Sequence, residues 1–145
     1  MLYSVRFFIS WILAAILMYL AFYGWHGLFL NDLNRINFSK SVFLGLAALV
    51  YLVISFVLYK TYESKLLTKY VSSPMIRGMV SGFMLGFVLF ALVTVLGISF
   101  TKNMTREYLV ADFVWQITEQ MIGGVIIGLG KVIIFEPIPE LIDRD

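Results

Sequence analysis

Four long apolar runs limit what this chain of 145 residues can fold into. The runs and their charged residues are Leu2–Leu30 with Arg6, Ser41–Tyr59 and Gly78–Thr101 with none, and Tyr108–Phe135 with Asp112, Glu119 and Lys131. A helix needs about 20 apolar residues to cross the hydrocarbon core of a bilayer. The strands of a membrane barrel would instead alternate over about 10 residues, and these runs do not alternate. The runs therefore predict an all-α membrane protein with four transmembrane helices.

We expect the four helices to cover about residues 5–30, 41–62, 75–101 and 108–135, with a short polar tail at 136–145. The first run is too long for the core of a signal peptide, and no A-x-A cleavage pattern follows it, so we treat it as a retained helix. Because the links between the runs are short, neighbouring helices should be antiparallel. The chain is thus predicted to form one integral membrane domain, residues 1–145, built as an up-down bundle.

The basic residues predict the orientation of the bundle. Seven lie on the side that holds both termini, and four lie on the other side. Because cytoplasmic segments carry the excess of Lys and Arg, both termini should be cytoplasmic, in a cell inner (plasma) membrane. The two sets are Arg6, Lys60, Lys65, Lys69, Arg77, Lys131 and Arg144 on the inner side, and Arg35, Lys40, Lys102 and Arg106 on the outer side.

Composition excludes several kinds of function. The chain has no cysteine and a single histidine, so a zinc site of ordinary ligands is not expected. A net charge of +2 is too small to indicate nucleic-acid binding. The sequence contains no phosphate-binding loop and no hydrolase or metalloprotease motif. We predict no cofactor and no metal, and enzymatic activity stays open, with an enzyme acting on lipid as the least favoured class of function. The expected partners are the lipid bilayer and either other membrane subunits or further copies of the chain.

Glycines recur every four residues in the third and fourth predicted helices. Such a series occupies one helix face and lets another backbone approach closely, which is how helices associate in lipid. We therefore predict close packing, most simply of the third helix against the fourth. The glycines are Gly78, Gly82 and Gly86 in the third helix, and Gly124 and Gly128 in the fourth.

The fourth helix also carries a polar stripe that a lipid-facing helix would not tolerate. Asp112, Gln116 and Glu119 are spaced by four and three residues, so they share one face, with Trp115 at its edge and Gln120 beside it. A carboxylate at the centre of a membrane helix costs roughly 2.5–3.5 kcal/mol on insertion scales. The stripe should therefore face the bundle interior, with Glu119 in its neutral form.

Depth places His26, near the outer end of the first helix, at the level of this stripe. One outward-opening pocket that holds His26, Asp112, Gln116 and Glu119 would bind or move a small solute or a proton. Two alternatives remain open. The cluster could be a structural set of hydrogen bonds that ties helices together, and the protein could be a non-catalytic accessory or scaffold subunit of a larger membrane complex.

The string "YLVADFVWQ", with Asp112-x-x-Trp115 in an apolar helix after a glycine-rich one, resembles small four-helix bacterial inner-membrane proteins known only as domains of unknown function. The resemblance implies a four-helix fold and a bacterial setting, and it implies no activity. The length also resembles that of small multidrug transporters. Those proteins carry a membrane-embedded glutamate in their first helix, and this chain has none there.

Overall fold

The computed structural model describes residues 4–34, 37, 39–100 and 105–134. Within these ranges the chain is helical, and no strand is present. The α-helices are α1 (Val5–Phe22), α2 (Lys40–Tyr62), the short α3 (Lys65–Tyr70), α4 (Pro74–Phe100) and α5 (Arg106–Ile133). A π-helical segment, Tyr23–Phe29, continues α1, and a 3-10 turn follows at Asp32–Asn34. The predicted tail 136–145 lies outside the described residues.

Three of the long helices are apolar enough to cross a membrane. They are Val5–Phe29, Lys40–Tyr62 and Pro74–Leu96. The fourth long helix, α5, has 28 residues but is not among them. Its polar stripe lowers its mean hydropathy, although Glu119 and Gln120 of that stripe are buried.

Aromatic residues join α1 to α2. The rings of Phe7 and Tyr59 meet edge to face, with centroids 4.8 Å apart. The indole N–H of Trp11 donates to the carbonyl of Leu52 at 2.8 Å. Residue numbers rise along α1 as those of their partners fall along α2, so the two helices are antiparallel. This pairing buries the polar N–H of Trp11 without leaving it unsatisfied.

Small residues let α4 and α5 approach along their length. A side chain at Gly78 would collide with the backbone of Gly124, and one at Gly82 would collide with the backbone of Gln120. At Gly86 an added Cβ would lie 2.9 Å from the Cα of Ile117. The pairs run in opposite directions, so these helices are also antiparallel. Only glycine permits this spacing, since a Cβ atom would force the two backbones apart.

Helix α5 packs against α1 and α2 through a further glycine. A Cβ at Gly123 would collide with the sulfur of Met18 and would lie 3.0 Å from Leu58. Met18, Leu58 and Ile127 are fully buried at this level. The inner face of α5 is therefore surrounded by α1, α2 and α4, and this position buries its polar stripe.

The end of α1 departs from the predicted single α-helix. From Tyr23 to Phe29 the chain winds as a π-helix, and the N–H of Leu30 donates to the carbonyl of Trp25, five residues earlier, at 2.8 Å. A π-helical turn is wider than an α-helical turn and is often found at functional sites. The change of winding alters the directions in which Trp25 and His26 point, and sequence spacing could not predict it.

The opposite end of the bundle is closed by charged residues. The link after α2 forms the separate helix α3, whose N-cap Ser64 accepts from the N–H of Leu67 at 3.4 Å. The Nζ atom of Lys131 lies 2.9 Å from Oε1 of Glu63. The Arg77 guanidinium donates to the carbonyl of Val71 at 2.8 and 2.9 Å. The ion pair joins the ends of α2 and α5, and the Arg77 contact joins the start of α4 to the end of α3.

Candidate functional site

Two of the polar residues of α5 are completely enclosed by the bundle. The exposed fraction of Glu119 is 1%, and that of Gln120 is 0%. Asp112 and Gln116, nearer the start of the helix, are half-buried. The stripe thus runs from a partly open outer end to a closed centre, because α1, α2 and α4 surround α5 more fully at the level of Glu119.

The carboxyl group of Glu119 contacts uncharged polar groups. The Gln120 amide Nε2 donates to Oε1 of Glu119 at 3.3 Å. The hydroxyl of Tyr51 on α2 interacts with the same carboxyl group. The indole N–H of Trp115 interacts with it as well, but this N–H is buried without a hydrogen bond of standard geometry. Glu119 is therefore held by neutral side chains from two helices.

Some hydrogen-bonding capacity at this site is unused. The Oε1 atom of Gln120 is buried and accepts no hydrogen bond within the described part of the chain. Buried polar atoms of native proteins almost always have a partner, in the protein or in ordered water. The amide oxygen of Gln120, beside the buried carboxyl group, can therefore accept a hydrogen bond from water or from a bound group.

A small cavity, called the outer cavity below, lies beyond the buried carboxyl group towards the N-terminal end of α5. Its volume is about 90 Å³. It brings together α1, α4 and α5, and it corresponds to roughly three water molecules at about 30 Å³ each. The lining residues are His26, Phe90, Val93, Thr94, Leu109, Asp112, Trp115 and Gln116.

The structure brings four of the five predicted site residues to this cavity. His26, Asp112, Trp115 and Gln116 line it, whereas Glu119 does not. Glu119 lies three residues beyond Gln116, about 4.5 Å further along the axis of α5 at 1.5 Å per residue. The single pocket expected from the sequence is therefore divided into two parts along α5. One part is the outer cavity, the other is the buried carboxyl group of Glu119, and Gln116 lies between them.

Trp115, which lines the cavity, belongs to a stack of three aromatic rings. The indoles of Trp25 and Trp115 are nearly parallel, with centroids 4.5 Å apart, and the ring of Phe29 stacks on the other side of Trp25 at 4.9 Å. Stacked pairs contribute about 0.5–1.5 kcal/mol beyond their buried area. The stack connects the π-helical end of α1 to α5 and fixes the position of Trp115.

Sequence reasoning missed Tyr51. This residue lies in the middle of the most apolar run, where a tyrosine is expected only to fill the hydrophobic core. Its exposed fraction is 8%, and its hydroxyl group is at the carboxyl group of Glu119. The available signal was a hydroxyl-bearing side chain far from either predicted end of a membrane helix, because such a group requires a hydrogen-bonding partner when buried.

Within the described residues, neither a paired cation nor a group of metal ligands lies at Glu119. Lys131 is twelve residues from Glu119, about 18 Å along the helix axis, and it pairs with Glu63. Within the residues that the structure covers, no three His, Cys, Asp or Glu side chains are grouped to hold a metal ion. The chemistry available at Glu119 is therefore that of a carboxyl group among neutral hydrogen-bonding partners.

Comparison with known proteins yields no relative, since no family model, no curated protein and no solved structure matches this chain. The described part of the chain defines the class: a helical protein that has, within these residues, three helices long and apolar enough to span a membrane. The resemblance to four-helix bacterial inner-membrane proteins stays a prediction.

Proposed function

We propose that this protein binds a proton at Glu119 and exchanges it, or moves a solute of similar size to water, through the outer cavity. The observation that carries the proposal is a carboxyl group with an exposed fraction of 1% whose described partners are neutral. Desolvation without a paired cation disfavours the charged form. A carboxyl group among neutral partners can bind a proton and release it when its surroundings change.

The size of the cavity restricts what can be moved. Sites for drug-sized molecules occupy about 300–1,000 Å³, whereas this cavity has about 90 Å³. His26 and Asp112 at the cavity are groups that can relay a proton. These features support a proton, or a solute of the size of water, over a larger organic substrate.

The proposal includes four membrane crossings, with both termini cytoplasmic in a bacterial inner membrane. Helix α5 supports the fourth crossing because its 28 residues extend about 42 Å at 1.5 Å per residue. It also packs antiparallel along α4, which is apolar enough to span. Burial of Glu119 and Gln120 within the bundle removes them from contact with lipid.

Proton flux into liposomes tests the proposal. Purified protein is reconstituted with a trapped pH-sensitive dye, and a potassium diffusion potential drives proton entry. We expect wild-type protein to acidify the lumen faster than empty liposomes, and Glu119→Gln to reduce that rate at least tenfold. Glu107→Gln is the matched control, because it makes the same chemical change at an exposed position of α5. Equal rates in wild-type and empty liposomes would refute the proposal.

An accessory subunit without transport activity is the second candidate. The observation that favours it is the separation of Glu119 from the cavity lining. In that case the cluster connects α2 to α5, and Glu119→Gln would leave both stability and assembly unchanged. Proton flux through the wild-type protein therefore distinguishes the two candidates, because Glu119→Gln should keep its stability under both.

A further inference from the structure

A second, larger recess lies between α2 and α4. This groove has a volume of about 530 Å³ and is open to the surroundings of the bundle. Its walls are apolar, with Phe43, Ala47 and Val50 from α2 facing Leu89 and Val93 from α4. The volume is in the range of small-molecule sites, about 300–1,000 Å³. In a bilayer such a groove is reached from the lipid and not from water.

Polar groups are confined to two residues of the groove lining. Tyr51 and Gln116 line it, and none of the lining residues is charged. The hydroxyl of Tyr51 is also the group that interacts with Glu119. Gln116 lines both the groove and the outer cavity. The groove is therefore an apolar binding surface that suits a ligand with a small neutral hydrogen-bonding group.

We propose that this groove binds a neutral, lipid-soluble molecule whose head carries carbonyl or hydroxyl oxygens, the chemistry of a quinone or a quinol. The amide of Gln116 can donate to a carbonyl oxygen and accept from a hydroxyl group, and the phenol of Tyr51 can do either. The same pair thus serves both forms of such a head group. The aromatic face of Phe43 and the aliphatic walls suit a ring with an apolar tail.

A phospholipid fits the groove less well. Its charged head group would require a cation or an anion in the lining, and the lining supplies neither. Transfer of an unpaired ionic group into an apolar setting is strongly unfavourable. A neutral ring head loses far less hydration and gains hydrogen bonds from Gln116 and Tyr51.

The inference extends the proposed function but can fail separately from it. Glu119 does not line the groove, so Glu119→Gln should change ligand affinity less than twofold while reducing proton flux. Binding without flux would refute only the proton proposal, and flux without binding would refute only the quinone site.

Equilibrium binding of a tritiated benzoquinone with a decyl tail tests the site. The protein is placed in nanodiscs, and binding to empty nanodiscs is subtracted. We expect saturable binding at one site per chain. Ala47→Phe should abolish it by filling the groove, and Gln116→Leu should weaken it about fivefold to tenfold through the loss of a hydrogen bond.

The matched control is Ala48→Phe. Ala48 is adjacent in sequence but lines a different groove, between α1 and α2, with Tyr19 and Leu52. Circular dichroism and thermal unfolding establish that both Phe variants are folded. The proposal is overturned if wild-type protein shows no saturable binding, or if Ala47→Phe binds the quinone as tightly as Ala48→Phe does. Either outcome would mean that acyl chains of the bilayer occupy the groove.

Discussion

The indole rings of Trp25 and Trp115 lie 10° from parallel with their centroids 4.5 Å apart. Trp25 belongs to the π-helical end of α1, and Trp115 lines the outer cavity on α5. Residues 90 positions apart in sequence thus meet at the point where the cavity begins. The contact explains how the widened helical segment contributes to the site.

Removal of this stack should expose Trp115. Trp25→Ala is expected to shift the emission of Trp115 to longer wavelength and to increase its quenching by iodide added outside, because one face of the indole loses its cover. Trp25→Phe should preserve both values, since a phenyl ring can still stack. In a Trp11→Phe background both variants keep Trp115 as their single tryptophan, so they are compared with each other. Identical quenching in Trp25→Ala and Trp25→Phe would contradict the observed stack.

Substitution of Gly82 should disrupt the bundle. In Gly82→Leu the side chain would meet the backbone of Gln120, so α4 and α5 must separate. We expect a loss of at least about 3 kcal/mol in the free energy of unfolding in detergent micelles, the upper range for overpacked sites.

Gly45→Leu provides the control for this experiment. A Cβ at Gly45 has nothing within 4 Å, so the same substitution there meets open space. Its unfolding free energy should change by less than about 0.5 kcal/mol, as is usual for sites away from packed features. Equal destabilisation by the two variants would show that the glycine series is not a packing surface.

Replacements of Glu119 should distinguish what its hydrogen bonds contribute to stability from what its ionisable group contributes. Glu119→Gln keeps the size of the side chain and can still hydrogen-bond Tyr51 and Gln120, so its unfolding free energy should lie within about 0.5 kcal/mol of wild type. Glu119→Leu leaves buried polar groups unsatisfied and should cost about 1–3 kcal/mol. Urea titration in micelles measures both values. A fully stable Glu119→Leu variant would contradict the hydrogen-bonded cluster.

The contact between Lys131 and Glu63 should contribute little to stability. Both side chains are partly exposed, 29% and 39% respectively, and ion pairs at such sites are worth about 0.2–1 kcal/mol. A double-mutant cycle with Lys131→Ala and Glu63→Ala should give a coupling free energy in this range. It should decrease as salt is raised. A coupling free energy of several kcal/mol would indicate that the pair is buried in the membrane.

The proposed orientation can be tested with single cysteines, because the natural chain has none. Lys102→Cys should react with a membrane-impermeant maleimide added to intact bacterial cells, and Lys65→Cys should react only after the cells are broken. The reason is the excess of basic residues on the side of Lys65. Labelling of Lys65→Cys in intact cells would reverse the predicted topology.

The sequence by itself determined the helical class and the approximate helix bounds. Runs such as Ser41–Tyr59, without a single charge, cannot form a soluble domain, and the backbone in lipid must satisfy its own hydrogen bonds. It also predicted that the stripe of Asp112, Gln116 and Glu119 shares one helix face, because that follows from the helical repeat alone. Glycine spacing predicted a close helix contact for the same reason.

Only the tertiary structure decided which side chains meet across helices. The partner of Glu119 on α2 is Tyr51, and nothing in the period of either helix specifies the rotation and depth that bring the two together. The π-helical winding at Tyr23–Phe29 likewise depends on how the end of α1 packs, and it orients Trp25 towards Trp115. Helical periodicity specifies positions within one helix, whereas contacts between helices depend on the packing of the whole bundle. This is why the outer cavity and the buried carboxyl group are separate levels of the site.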